Sequence, residues 1–149
     1  MQAYLNLINN SKKLTKSKVK SDLFNFIRTL EEEFAAYNRA TLNEDSQTID
    51  KKPLGFYSAA TELITDGRKK RGEPFNLLET GDFLDGLFAK VQQNSILFDT
   101  IDSKKKEVIA YLLNNNVFGL QDDDLNKIIE TKLIPWAQSY FLKGFLNGI

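Results

Sequence analysis

Leu87-Phe88-Ala89-Lys90-Val91-Gln92-Gln93-Asn94-Ser95-Ile96-Leu97-Phe98 is the stretch on which the fold turns. Elsewhere apolar residues recur at helical spacing, whereas here the period drops to two. Leu87, Ala89 and Val91 then fall on one side of a strand, with Phe88 and Lys90 on the other. The polar quartet Gln92–Ser95 separates this run from Ile96-Leu97-Phe98, and two such runs across a short polar loop read as an antiparallel hairpin. An isolated hairpin is marginal in water. Helices must therefore cover one face, and a further strand is expected around Pro74–Leu78. The predicted class is α+β: a small antiparallel hairpin or sheet packed by about four to five helices in a single domain.

Upstream, residues 1–20 pass from a short apolar segment into Ser11-Lys12-Lys13-Leu14-Thr15-Lys16-Ser17-Lys18-Val19-Lys20 and read as a lysine-rich, solvated N-terminal arm. The domain proper is placed at 21–149. Ser21 is expected to cap a helix whose apolar stripe is Leu23, Phe26, Ile27, Leu30, Phe34 and Tyr37 or Asn38. It should fade near Leu42-Asn43 into a polar loop, residues 43–52, that is free to move. Pro53 and Gly55 announce a second helix with Phe56, Ala59, Ala60, Leu63 and Ile64 on its stripe. That helix ends around Gly67, before the basic loop Arg68-Lys69-Lys70-Arg71-Gly72-Glu73-Pro74.

Downstream, Asp102-Ser103 opens a helix carrying Val108, Ile109, Leu112 and Leu113, which Asn114-Asn115-Asn116 should stop. Gln121-Asp122 is expected to cap the closing helix, with Asp122, Asp123 and Asp124 at its positive end. Leu125, Ile128, Ile129, Leu133, Trp136, Tyr140 and Phe141 run down one side. Pro135 lacks an amide hydrogen and crowds the preceding turn, so a break or kink is expected near Lys132–Ile134.

Composition narrows the chemistry. The chain has 149 residues, 42% hydrophobic and 27% charged, enough to bury a core of ordinary size. Twenty basic and twenty acidic residues cancel, which argues against a dedicated nucleic-acid-binding domain. Cysteine and histidine are both missing, which removes disulfides, thiolate zinc sites, cysteine nucleophiles and histidine bases together. No apolar run reaches the ~18 residues of a membrane span and the N-terminus lacks a signal-peptide pattern, so an intracellular, unprocessed chain is expected. The acidic group Glu79, Asp82, Asp85, Asp99 and Asp102 is the one candidate for metal or acid–base chemistry. Asp beside Gly is ordinary turn chemistry, and Asp102 reads as a helix cap. The expectation is therefore no catalytic residue, no metal and no cofactor.

Two motifs bracket the hairpin: Leu77-Leu78-Glu79-Thr80-Gly81-Asp82-Phe83-Leu84-Asp85-Gly86 before it, and Val117-Phe118-Gly119-Leu120-Gln121-Asp122-Asp123-Asp124-Leu125 after it. An L-x-x-T-G-x-[FL] turn followed some thirty residues later by an F-G-L helix start resembles phage virion-morphogenesis proteins. These are the small minor tail, tail-completion and head–tail joining proteins of tailed phages and prophages. The resemblance runs from Pro53 onward and rests on Thr80, Gly81, Phe83, Phe118, Gly119 and Leu120. It implies that the Thr-Gly turn opens the hairpin and that the chain is a non-enzymatic structural protein assembling in a ring. Its partners would be other virion proteins (neck, tail terminator or tail tube) and copies of itself, in the virion and, during assembly, in the host cytoplasm.

The residues themselves leave one segment open between core packing and a subunit interface. Trp136, Tyr140, Phe141 and Phe145 sit at helical spacing in a closing segment that is apolar on more than one side, and aromatics are enriched where subunits meet. The competing reading is a cytoplasmic adaptor or regulator that binds a protein partner, or DNA through the Lys12–Lys20 and Arg68–Arg71 patches. A carboxylate-dependent enzyme is the third.

Overall fold

The computed structural model describes residues 1–77 and 81–148. The fold is α+β, and the chain gathers into two compact units: residues 30–122 form one, and residues 1–29 with 123–149 form the other.

The first unit holds the hairpin. Strand β1 (Leu87–Val91) pairs antiparallel with β2 (Ile96–Thr100) in the register Leu87 with Thr100 through Val91 with Ile96. Leu87, Ala89 and Val91 are buried and Lys90 is exposed, as a period of two demands. Helix α3 (Glu31–Asn43) lies against β1 and buries Phe34, Ala35, Asn38, Thr41 and Leu42. Leu42, Leu54, Phe83, Leu84, Leu87 and Val117 form the core cluster. Inside it, the Asn38 amide donates to the Val117 carbonyl at 2.7 Å, so the buried side chain is satisfied. Two charged side chains of α3 also tie down the outer side of β1. The Val91 amide donates to Glu31 Oε1 at 2.8 Å, and the Arg39 guanidinium donates to the carbonyls of Leu84 at 3.0 Å and Leu87 at 3.2 Å.

The expected third strand does not form among the described residues; Leu78 lies outside them. Pro74 makes one isolated bridge with Phe56, and the sheet has two strands. A proline cannot donate to a ladder, which limits the pairing it can start. The loop after α3 is not loose. Ser46 and Thr48 are buried, and the Thr48 amide donates to Lys52 O at 2.8 Å while Leu54 donates to Ser46 O at 3.1 Å. Gln121, ahead of α7, donates from Nε2 to the Thr48 carbonyl at 3.1 Å. Polar residues here pair with main chain, so their polarity marks hydrogen bonding and not mobility.

Helix α4 (Ala59–Ile64) is a short element capped by Ser58, whose hydroxyl accepts from the Thr61 amide at 3.2 Å. Its expected core stripe faces outward: Leu63 and Ile64 are each 81% exposed. Gly81 opens helix α5 (Asp82–Asp85), so this turn leads into the hairpin through one helical turn and not directly. Helix α6 (Lys105–Ala110) begins where Asp102 Oδ1 accepts from the Lys104 amide at 2.9 Å.

The second unit is helical throughout its named elements. Residues 1–20 are not a solvated arm: they form α1 (Gln2–Lys13) and the first turns of α2 (Lys16–Arg28), and the 20/21 boundary falls inside α2. Thr15, not Ser21, is the cap, accepting from the Lys18 amide at 3.2 Å. The single stripe read through Phe34 is interrupted at Thr29-Leu30, where α2 stops and α3 starts. Helix α7 (Asp122–Ile128) leads through a π turn (Ile129–Leu133) into α8 (Ile134–Asn147). Pro135 therefore does not break the helix. Its ring would crowd the carbonyl four residues back, Thr131, and that residue lies in the wider π turn, where the Ile134 amide reaches Ile129 O instead.

Leu42→Ala should lower unfolding free energy by about 2–5 kcal/mol, the cost of a cavity in a closed core. Leu63→Ala, at an exposed position, should change it by less than about 0.5 kcal/mol. Chemical denaturation of both variants is the check, and a large loss at Leu63 would return α4 to the core.

Candidate functional site

The residues that carry the two motifs are drawn together by packing. The Phe83 and Phe118 rings lie 6.1 Å apart, joining the start of the hairpin to the approach to α7. Gly81 takes φ +77° and Gly119 φ +146°, backbone that L side chains rarely adopt. A Cβ on Gly119 would also stand 3.2 Å from Ile49 Cδ1. Leu120 is half-buried, and Thr80 lies outside the described residues. Gly81, Phe83, Phe118, Gly119 and Leu120 thus shape the backbone and the core.

The closing helix carries the aromatic residues singled out as an interface, and the structure divides them. Trp136 stacks on Phe26 of α2 at 5.3 Å and on Tyr140 at 4.8 Å. The Tyr140 hydroxyl donates to Asp22 Oδ2 at 2.7 Å, and Lys18 Nζ lies 3.1 Å from the same oxygen. Trp136 and Tyr140 are thus used to hold α2 against α8. On the other side, α1 is fastened by Asn10, which donates to Phe145 O at 3.1 Å. Ile134, Phe141, Leu142, Phe145 and Leu146 remain exposed. Steps of seven, eight, eleven and twelve residues place all five on one stripe, opposite Trp136 and Tyr140. Leu142 is 61% and Leu146 60% exposed, too open for residues inside a finished core.

The hydrogen bond between α2 and α8 shifts both of its partners. The Asp22 carboxyl is held below the usual carboxylate range by the Tyr140 hydroxyl first and Lys18 second. The Tyr140 phenol is pushed up to about 12 by its loss of water and by the Asp22 carboxylate.

The acidic residues do not converge. Among the described residues no group of three or more acidic side chains is placed to hold a metal, and Glu79 lies outside them. Asp99 forms an ion pair with Lys105, which holds its carboxyl below the usual range. Asp102 caps α6. A cleft of about 530 Å³ opens beside this region, with Phe75, Leu77, Phe83, Val108 and Leu112 on its walls and charges of both signs, Lys69, Lys104, Asp102 and Glu107, around it. Tyr57 packs edge-on against Phe75 at 4.9 Å, under the Lys69 ammonium at 5.1 Å. Beside the cleft, the Tyr57 hydroxyl donates to Asn76 Oδ1 at 2.9 Å.

Sequence reading missed the Asp22–Tyr140 bond and the cleft, both made by residues distant in the chain. The Glu31 and Arg39 ties left a weak signal: eight residues apart, they share the side of α3 that buries Ala35 and Leu42. No protein family, curated protein or solved structure matches the chain.

Because Tyr140 holds its proton more tightly when folded, its contribution to stability is complete below pH 10 and is lost as pH rises towards about 12. Asp22 works in the opposite sense: its contribution is present above pH 3.8 and is lost as pH falls below that value. Tyr140→Phe should flatten both limbs relative to the parent chain in denaturant midpoints measured across pH. Superimposable profiles would show that the pair carries no stability.

Proposed function

We propose that the chain is a non-enzymatic assembly protein whose exposed α8 stripe docks on other subunits. The observation that carries the reading is the division of α8: Trp136 and Tyr140 are satisfied within the protein, while Phe141, Leu142, Phe145 and Leu146 remain outward. Exposed Tyr4, Leu5 and Leu7 on α1 add apolar surface in the same unit. A contiguous apolar stripe on a small protein costs solubility unless a partner covers it. Together with the resemblance of the Thr-Gly and Phe-Gly-Leu motifs to phage virion-morphogenesis proteins, this stripe supports a proposed role in tail completion or head–tail joining. The chain would bind neck, tail-terminator or tail-tube proteins and copies of itself.

A second reading has its own support. Residues 1–29 and 123–149 carry nine basic and four acidic side chains, whereas residues 30–122 carry eleven and sixteen. The neutral total thus hides a unit of net +5 and another of net −5. Lys12, Lys13, Lys16 and Lys20 stand exposed around the α1–α2 junction and suit a polyanion such as DNA.

Deleting the gene from a phage or prophage that carries it should leave heads and tails unjoined by electron microscopy. Leu142→Asp should give the same block while the purified variant melts within a few degrees of the parent. Complete, infectious particles without the protein would overturn the assembly reading. DNA affinity that falls steeply with added salt, and is lost in Lys16→Glu/Lys20→Glu, would establish the second reading in its place.

A further inference from the structure

We infer that the free edge of the hairpin is a self-pairing surface, at which β2 of one copy pairs antiparallel with β2 of a second. The alternation of hydrogen bonds along the hairpin fixes which main-chain groups face outward. Ile101 donates to Gly86 O at 3.0 Å and Gln92 donates to Ser95 O at 2.8 Å, just beyond the two ends of the ladder. In an antiparallel pair, hydrogen-bonded partners recur at every second residue. Phe88 with Asp99 and Lys90 with Leu97 are therefore the bonded pairs. Leu87, Ala89 and Val91 point their amides and carbonyls away from β2, and Ile96, Phe98 and Thr100 point theirs away from β1. The side-chain ties from α3 agree, since Arg39 finds the Leu87 carbonyl and Glu31 finds the Val91 amide on that outer side.

The two edges are consequently unlike. α3 lies along β1 and occupies its edge, whereas among the described residues no helix or strand runs along the other side of β2. The Thr100 amide is taken by Asp99 Oδ1 at 2.7 Å, but the main-chain groups of Ile96 and Phe98 have no partner among the described residues. Natural edges are usually guarded by a lysine, a proline, a bulge or a covering helix. Ile96-Leu97-Phe98-Asp99-Thr100 has no lysine and no proline, and its single charge is already neutralised by Lys105.

A second copy fits this edge better than a strand of arbitrary sequence. A twofold pairing centred on Phe98, the middle one of the three outward-pointing residues, sets all three across the new seam. Phe98 then faces its own counterpart, Ile96 faces Thr100 of the second copy, and Leu97 faces Asp99 of the second copy. The half-buried Ile96 and Phe98 side chains gain an aromatic pair and a β-branched pair, the cross-strand combinations that stabilise sheets. Neutralised Asp99 sets no like charges against each other. Because α3 already holds the β1 edge, the pairing closes at two copies as a four-stranded sheet and cannot propagate. It is independent of the α8 stripe.

The test uses the full chain, which has no cysteine, so single introduced thiols report cleanly. Sedimentation should show a concentration-dependent dimer. Among Ile96→Cys, Leu97→Cys and Phe98→Cys, the last should cross-link to itself most readily, being the residue opposite its own copy. Leu97→Glu places a carboxylate directly across from Lys90 within the chain but opposite Asp99 of the second copy, and should weaken the dimer about tenfold or more. Ile96→Pro removes an outward amide that the hairpin does not use and should act in the same direction if Leu97→Glu fails to fold. Leu142→Asp on α8 should leave this dimer unchanged, which separates its failure from that of the assembly reading. A chain that stays monomeric at millimolar concentration, or a dimer insensitive to both β2 variants, would overturn the proposal.

Discussion

A two-stranded hairpin buries too little to stand in water, and the packing of α3 against β1 is what makes this one possible. The helix does two things at once. Its apolar side, Phe34, Ala35 and Leu42, removes one face of the hairpin from water, and the Phe34 ring reaches Phe98 of the second strand at 6.4 Å. Its charged side chains Glu31 and Arg39 satisfy main-chain groups that β1 would otherwise offer to solvent or to a stranger. The same act leaves the sheet lopsided, with one edge sealed by the protein's own side chains and the other bare.

The unit built from the two chain ends obeys a different economy. Neither α1 nor α2 contains a fully buried residue, so no closed aliphatic core holds them. Stacked rings do that instead: Phe26, Trp136 and Tyr140 form a column, and Tyr140 ends it with a hydrogen bond to a carboxylate. Large rings bury much area at low conformational cost and keep a polar end for a partner. What they cannot do is cover both sides of α8, and the uncovered aliphatic stripe is the consequence. The proposed association through that stripe and the proposed basic recognition around the α1–α2 junction would draw on different parts of this unit, so mutation would separate them.

The sequence was legible wherever one residue pattern had one local outcome. The hairpin, its loop and the inward Leu87, Ala89 and Val91 follow from a period of two flanked by polar residues. It misled where a pattern had two outcomes. Phe56, Leu63 and Ile64 keep helical spacing, yet a six-residue helix has too few neighbours to bury them. Five lysines between residues 12 and 20 looked like a tail, whereas lysine is a good helix former and Thr15 supplies a cap. Pro135 predicts a disturbed helix, and the disturbance is a change of pitch that keeps the axis going. Cancellation of twenty charges against twenty concealed the contrast between units, because a whole-chain sum has no knowledge of which segments fold together. The α8 stripe was half legible: spacing identified the aromatic residues, but which of them meet Phe26 and Asp22 depends on a contact across more than a hundred residues.

The two hairpin edges are unequal, and amide hydrogen exchange in dilute solution reads that inequality residue by residue. Val91, which donates to Glu31, should be protected well above the level expected for an exposed strand residue, and Glu31→Ala should remove that protection without unfolding the chain. Ile96 and Phe98 should exchange rapidly while Leu97 and Asp99, paired with Lys90 and Phe88, remain slow. Equal protection of Val91, Ile96 and Phe98, or a Val91 amide indifferent to Glu31→Ala, would contradict the claim that α3 seals one edge and leaves the other open.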